Sequence, residues 1–189
     1  MSFLRWIPTF LAFPLSGLAA MLLFGSVGSP LVAAAGGLLT GAVIGGAQWL
    51  ALGRAVNWLW LVGSSAAVSV GMSLSVAVAG APTTPAAAIT AGAITGLLLG
   101  GVQGVLLRRG LPVAALWTAL VGLSWTLGWI ITSFVIVDID RGHIVFGASG
   151  ALVATVITGV ALRLILGPRT RRVADHPAAD SAVTDAASV

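Results

Sequence analysis

Residues 40–52 read Thr40-Gly-Ala-Val-Ile-Gly-Gly-Ala-Gln-Trp-Leu-Ala-Leu52, and residues 95–107 read Thr95-Gly-Leu-Leu-Leu-Gly-Gly-Val-Gln-Gly-Val-Leu-Leu107. Each places a Gln seven residues after its first Gly, at Gln48 after Gly41 and at Gln103 after Gly96. Coincidences among 25 glycines are cheap, but these are the chain's only two glutamines. Thirteen residues after each first Gly stands an Arg, Arg54 and Arg109. A weaker third copy has Ser149-Gly150, then Ile157 in place of Gln, then Arg163. Ahead of each copy lies another apolar run with a Trp near its start, at Trp6, Trp60 and Trp117, and a Gly eleven residues later, at Gly17, Gly71 and Gly128. The pattern predicts three tandem αα-hairpins at 1–55, 56–110 and 111–167, the third degenerate. Repeats of this period bury their faces against their neighbours. A two-helix unit returns to its starting side, so the copies share an orientation, and the economical arrangement is pseudo-threefold about the membrane normal.

The hairpins consist of spans. A helix needs about 20 apolar residues to cross the hydrocarbon core. Six runs qualify: Trp6–Phe24, Leu31–Leu52, Trp58–Val78, Ala86–Leu107, Val113–Val137 and Ile144–Leu166. Turn chemistry separates them: a Gly/Ser-rich break at Gly25–Pro30, polar ends at Arg54–Asn57, two prolines in Gly80–Pro85, Arg108–Pro112, and an acidic loop at Asp138–His143. Residues 168–189 lack an apolar face and read as a disordered tail. The first run resembles a signal peptide, with Arg5 and Gly17-Leu-Ala-Ala20, but it is long for one and it fits the repeat. The expected fold class is therefore an all-α membrane protein of six transmembrane helices.

Composition agrees. The chain is 58% hydrophobic and 7% charged, against roughly 25% charged in soluble domains. It has no Cys, which excludes disulfides and thiolate metal sites, and no Lys, Glu or Tyr. Nine Arg oppose five Asp, but the Arg sit singly or in short clusters at the ends of apolar runs. That is a membrane protein's cytoplasmic edge, not a nucleic-acid surface. Arg5, Arg54, Arg108, Arg109, Arg163, Arg169, Arg171 and Arg172 fall on one side and only Arg141 on the other. The positive-inside rule then places both termini in the cytoplasm. Trp6, Trp58, Trp60 and Trp117, with Arg54, Arg109 and Arg163, are expected to anchor the spans at the cytoplasmic interface.

Candidate sites are few. Gly37, Gly41 and Gly45 form one helical stripe, Gly92, Gly96 and Gly100 a second, and Gly150 marks the third copy. Such stripes let helix backbones approach closely; alternatively they line a narrow pore with exposed carbonyls. Gln48 and Gln103 share the glycine face. They serve either as interhelical hydrogen-bond partners or as a polar ring at the mouth of a small cavity. Asp138, Asp140 and His143 offer oxygen and imidazole ligands, but Arg141 among them can pair with an Asp, and no metal or cofactor is expected. Ser64, Ser65, Ser69, Ser73 and Ser75 read as packing groups, and Trp125 and Trp129 as packed core or lipid contacts. No Glu, Lys or His lies within a span, and there is no Walker A motif, no H-E-x-x-H and no nucleophile–base pair, so no enzyme is expected.

The pattern G-x-x-x-G-x-x-Q-(W)-x-x-L resembles that of uncharacterised small bacterial polytopic membrane proteins. It covers the second and fourth runs well and the sixth poorly, and implies no activity. Three tandem hairpins are also similar in plan to mitochondrial carriers, whose charged motifs are missing here. The expectation is a multi-pass protein of the bacterial inner membrane, serving as a non-catalytic accessory or packing subunit. Its partners would be the lipid bilayer and other membrane subunits or copies of itself. The rival expectation is a small-solute or lipid transporter or channel with a cavity on the pseudo-threefold axis.

Overall fold

The computed structural model describes residues 3–135 and 147–167, and among these all regular structure is helical. The Asp138–His143 loop, Arg169, Arg171, Arg172 and the 168–189 tail lie outside the described residues. The elements are α1 (Phe3–Trp6), a 3-10 segment (Ile7–Leu11), α2 (Ala12–Phe24), α3 (Pro30–Leu52), a 3-10 turn (Gly53–Ala55), α4 (Leu59–Ala79), α5 (Pro85–Leu106), α6 (Leu111–Val135) and α7 (Ala148–Leu166). Together they form six helical stretches long and apolar enough to cross a membrane, the architecture of a multi-pass membrane protein.

The ends of the spans follow from local chemistry. Ser29 caps α3 by accepting from the Val32 amide at 3.3 Å, and Pro30 takes the first helical position. Thr84 and Pro85 repeat the device on α5, with the Ala87 amide at 3.2 Å from the Thr84 hydroxyl. A proline there loses nothing, since its missing N–H would have been unpaired. Gly25 and Gly80 end α2 and α4 at φ 77° and 79°, a backbone region that side chains disfavour.

The first span corrects the sequence expectation of one unbroken helix. Pro8 lies at the start of the 3-10 segment Ile7–Leu11 and Pro14 in the first turn of α2. Each proline removes an amide donor and crowds the preceding turn. The chain adopts the tighter winding between them.

Each span packs on the next in sequence, and α7 packs back on α1, the 3-10 segment and α2. The ring is therefore closed. Lipid tails are as apolar as these side chains, so cohesion comes from close contact and internal hydrogen bonds. Leucines such as Leu22, Leu31, Leu50, Leu111 and Leu123 point outward and stay exposed. The centre holds Trp6, Trp60, Trp117, Ile44, Leu99 and Leu162, all nearly fully buried.

Candidate functional site

The glycine stripes of α3 and α5 do not face the axis. A methyl group at Gly37 would lie 2.8 Å from the Val68 carbonyl oxygen, and one at Gly41 would lie 2.7 Å from the Ser64 carbonyl oxygen and from Ser65 Cα. At Gly45 it would meet the Ser64 side chain at 2.7 Å. The stripe lies flat on α4. Flanking it, the Ser65 and Ser69 hydroxyls donate to the carbonyls of Leu38 and Ala34 on α3 at 2.7 and 2.8 Å. The α5 stripe meets α6 instead: Gly92 lies under Trp129, Gly96 under Trp125 and Gly100 against Thr118 and Val121. Gly150 on α7 abuts the Gly128 carbonyl and Thr132 on α6. Glycines pressed between helices cannot line a pore, so the pore reading of the stripes is corrected.

What does face inward includes polar and aromatic side chains beside the aliphatic ones. Gln48 enters from α3 and Gln103 from α5, and both are buried. Gln103 Nε2 donates to Gln48 Oε1 and to Ser64 Oγ, each at 2.9 Å. Trp60 Nε1 donates to Gln48 Oε1 at 3.2 Å, and Trp117 Nε1 to Gln103 Oε1 at 3.4 Å. The donors fix both amide orientations: a flipped Gln48 would turn its NH2 toward two other donors. The four side chains form one chain of hydrogen bonds from Trp117 through Gln103 to Gln48 and back to Trp60.

These contacts correct the anchor assignment of Trp6, Trp60 and Trp117. They are at most 1% exposed and cannot reach lipid headgroups. Trp60 and Trp117 instead bring an N–H to a Gln, and Trp6 Nε1 donates to the Thr155 carbonyl at 2.9 Å. A buried indole N–H needs such an acceptor. Trp58, at 61% exposed, remains outside the bundle, as do Arg54, Arg109 and Arg163. Trp125 and Trp129 are buried under α5.

Little room is left between these groups. A void of about 10 Å³ lies among Trp6, Phe13, Gln48, Gln103, Trp117 and Thr158, the limit for a single water. A second, of about 20 Å³, lies among Thr40, Ile44, Met72 and Trp129. Phe13 and Trp125 border both, their rings 5.6 Å apart and tilted at 56°. Gln48 and Gln103 thus belong to a packed cluster, not to the mouth of an open cavity. No family model, curated protein or solved structure matches this chain.

One feature escaped sequence reasoning. The hydroxyls of Thr40, Thr95 and Ser149 are buried without a hydrogen-bond partner, as is that of Thr155. The first three are the residues preceding Gly41, Gly96 and Gly150. The Thr/Ser-Gly pair was visible in the sequence. Whether each hydroxyl would reach its own helix's carbonyls was not.

Proposed function

We propose that this chain is a non-catalytic membrane subunit that serves by occupying a place among other membrane proteins or copies of itself. The observation that carries this reading is the filled axis. Trp60, Gln48, Gln103 and Trp117 are joined to one another by hydrogen bonds, and the void beside them has room for about one water. The reading includes three hairpins in pseudo-threefold register. In its favour, Gly71 of α4 abuts Thr95 of α5, and Gly128 of α6, the counterpart of Gly71, abuts Gly150 of α7, one residue beyond the counterpart of Thr95. It also includes cytoplasmic termini in a bacterial inner membrane, resting on the Arg bias and the resemblance.

A second reading, a conduit for small polar solutes along the axis, is favoured by the partnerless hydroxyl of Thr40, a residue that borders the void of about 20 Å³. A solute moving past it would supply the missing bond. The two readings separate in one experiment. Purified protein is heated in detergent with a panel of small polar solutes, and the same panel is tested for flux in proteoliposomes. We expect no solute to shift the unfolding temperature and no flux above empty vesicles. Stabilisation by several degrees together with flux would establish the conduit.

The orientation has its own test, aided by the absence of native Cys. Ser26 and Ala55 are exposed in the turns before α3 and before α4, on opposite sides of the bundle. In intact cells a Ser26→Cys variant should react with a membrane-impermeant maleimide, and Ala55→Cys should react only after permeabilisation. The reverse pattern would invert the topology.

A further inference from the structure

The contact between α6 and α7 differs from its counterpart between α4 and α5, and the difference traces to one residue. In α4, a methyl at Gly63 would lie 2.8 Å from Val102 Cγ1 and 2.9 Å from Leu106 Cδ1, so α5 lies tight against it. In the proposed repeat register, on which this comparison rests, Trp60 matches Trp117 and Gly71 matches Gly128, so Gly63 matches Leu120. The isobutyl group of Leu120 stands where close approach required hydrogen. At that level α6 and α7 border a groove of about 400 Å³. All eight lining residues are aliphatic, among them Leu116, Leu120, Ile157, Val160, Leu164 and Ile165.

The groove's length and its end identify an occupant. From Val156 to Ile165, at about 1.5 Å per residue, it runs roughly 14 Å, close to half of the ~30 Å hydrocarbon core. It therefore spans one leaflet. A groove of this size with wholly aliphatic walls suits a single acyl chain, a narrow and flexible rod. Arg163, exposed, adjoins Leu164 in the groove wall, and the exposed Arg108 and Arg109 lead into α6 at the same end. Guanidinium groups bind phosphate through paired N–H donors, and basic sites between helices at the cytoplasmic face suit anionic headgroups. We propose that the α6–α7 groove binds one acyl chain of an anionic phospholipid, with its phosphate held by Arg163 and the Arg108–Arg109 turn.

The test uses the full chain in detergent, titrated with phosphatidylglycerol or with phosphatidylcholine carrying the same chains. Unfolding temperature and native mass spectrometry are the readouts. Phosphatidylglycerol should raise the unfolding temperature by several degrees and remain bound at one per chain, and phosphatidylcholine should do so at higher concentration. Val160→Trp, at a position 47% exposed, fills the groove from outside and should abolish both effects while leaving the lipid-free unfolding temperature near wild type. Leu116→Trp, 54% exposed, provides the same test should the first variant fold poorly. Arg163→Gln should keep lipid binding but reduce the preference for phosphatidylglycerol about fivefold. Equal response to the two lipids, or retention of lipid by both groove-filled variants, would overturn the proposal. So would a concentration-dependent dimer lost in those variants, which would assign the groove to a second copy.

Discussion

Gly41→Leu and Gly96→Leu should each prevent the bundle from closing. At Gly41 the first added carbon would already stand 2.7 Å from the Ser64 carbonyl oxygen and Ser65 Cα. These are backbone atoms of a helix and cannot rotate away. At Gly96 it would stand 2.7 Å from Trp125 Cβ and 3.1 Å from Gly122 Cα. Leucine adds three more carbons into the same seam. Overpacking typically costs about 1–3 kcal/mol. Prying α3 from α4 also stretches the Ser65–Leu38 and Ser69–Ala34 hydrogen bonds, so a loss of roughly 3 kcal/mol or more is expected for Gly41→Leu. The neighbouring glycines supply the control. A methyl at Gly46 would make ordinary contact with Leu61 Cδ1 at 3.5 Å, and one at Gly101 would lie 3.9 Å from Thr118 Oγ1. Alanine at Gly46 or Gly101 should therefore stabilise by up to about 1 kcal/mol through helix propensity. Alanine at Gly41 should destabilise despite the same gain. Unfolding in mixed micelles measures all of these, and a Gly41→Leu variant as stable as wild type would contradict the described seam.

The contrast between Gly41 and Gly46 also shows where sequence reading reaches its limit. The number of spans was legible because a helix crossing a bilayer must be long and apolar, and Ser29-Pro30 and Thr84-Pro85 announce their own helix starts. The glycine stripes were legible as features, but their partners were not. In a soluble protein a polar face marks the outside of a helix, whereas here Leu123 in lipid and Leu99 in the core are the same residue type. Trp60 illustrates the consequence. Its depth was readable, because Gln48 is four residues from the end of α3 and Trp60 is the second residue of α4. Both therefore lie within about 6 Å of one turn. Its direction was not readable. An indole near a span's end suits a headgroup belt as well as a buried amide, and only the packing of α3 on α4 selects the amide. The winding of Ile7–Leu11 was signalled by Pro8 and Pro14, each tolerable alone near a helix start and disruptive together.

Replacing Gln48 and Gln103 by Met, singly and together, should give costs that do not add. Met preserves much of the side-chain shape and removes the amide. Gln48→Met leaves two buried donors without an acceptor, Trp60 Nε1 and one N–H of Gln103. Gln103→Met also leaves two groups, Trp117 Nε1 without its acceptor and the buried Ser64 hydroxyl without the bond it accepts from Gln103, while Gln48 Oε1 still accepts from Trp60. The double variant leaves three, the indoles of Trp60 and Trp117 and the Ser64 hydroxyl. An orphaned buried donor costs about 1–3 kcal/mol in soluble proteins, and hydrogen bonds within membranes average about 0.6 kcal/mol. The two single changes should therefore destabilise to a similar degree, and the double should fall short of the sum by the worth of one donor, roughly 1 kcal/mol. A further change refines the assignment. Adding Trp60→Phe to Gln48→Met removes an orphaned N–H and should recover part of the loss, whereas Trp60→Phe alone should destabilise. Strict additivity, with no recovery by Trp60→Phe, would mean that the two amides do not meet and that the axis contains water in their place, which is the arrangement a conduit requires.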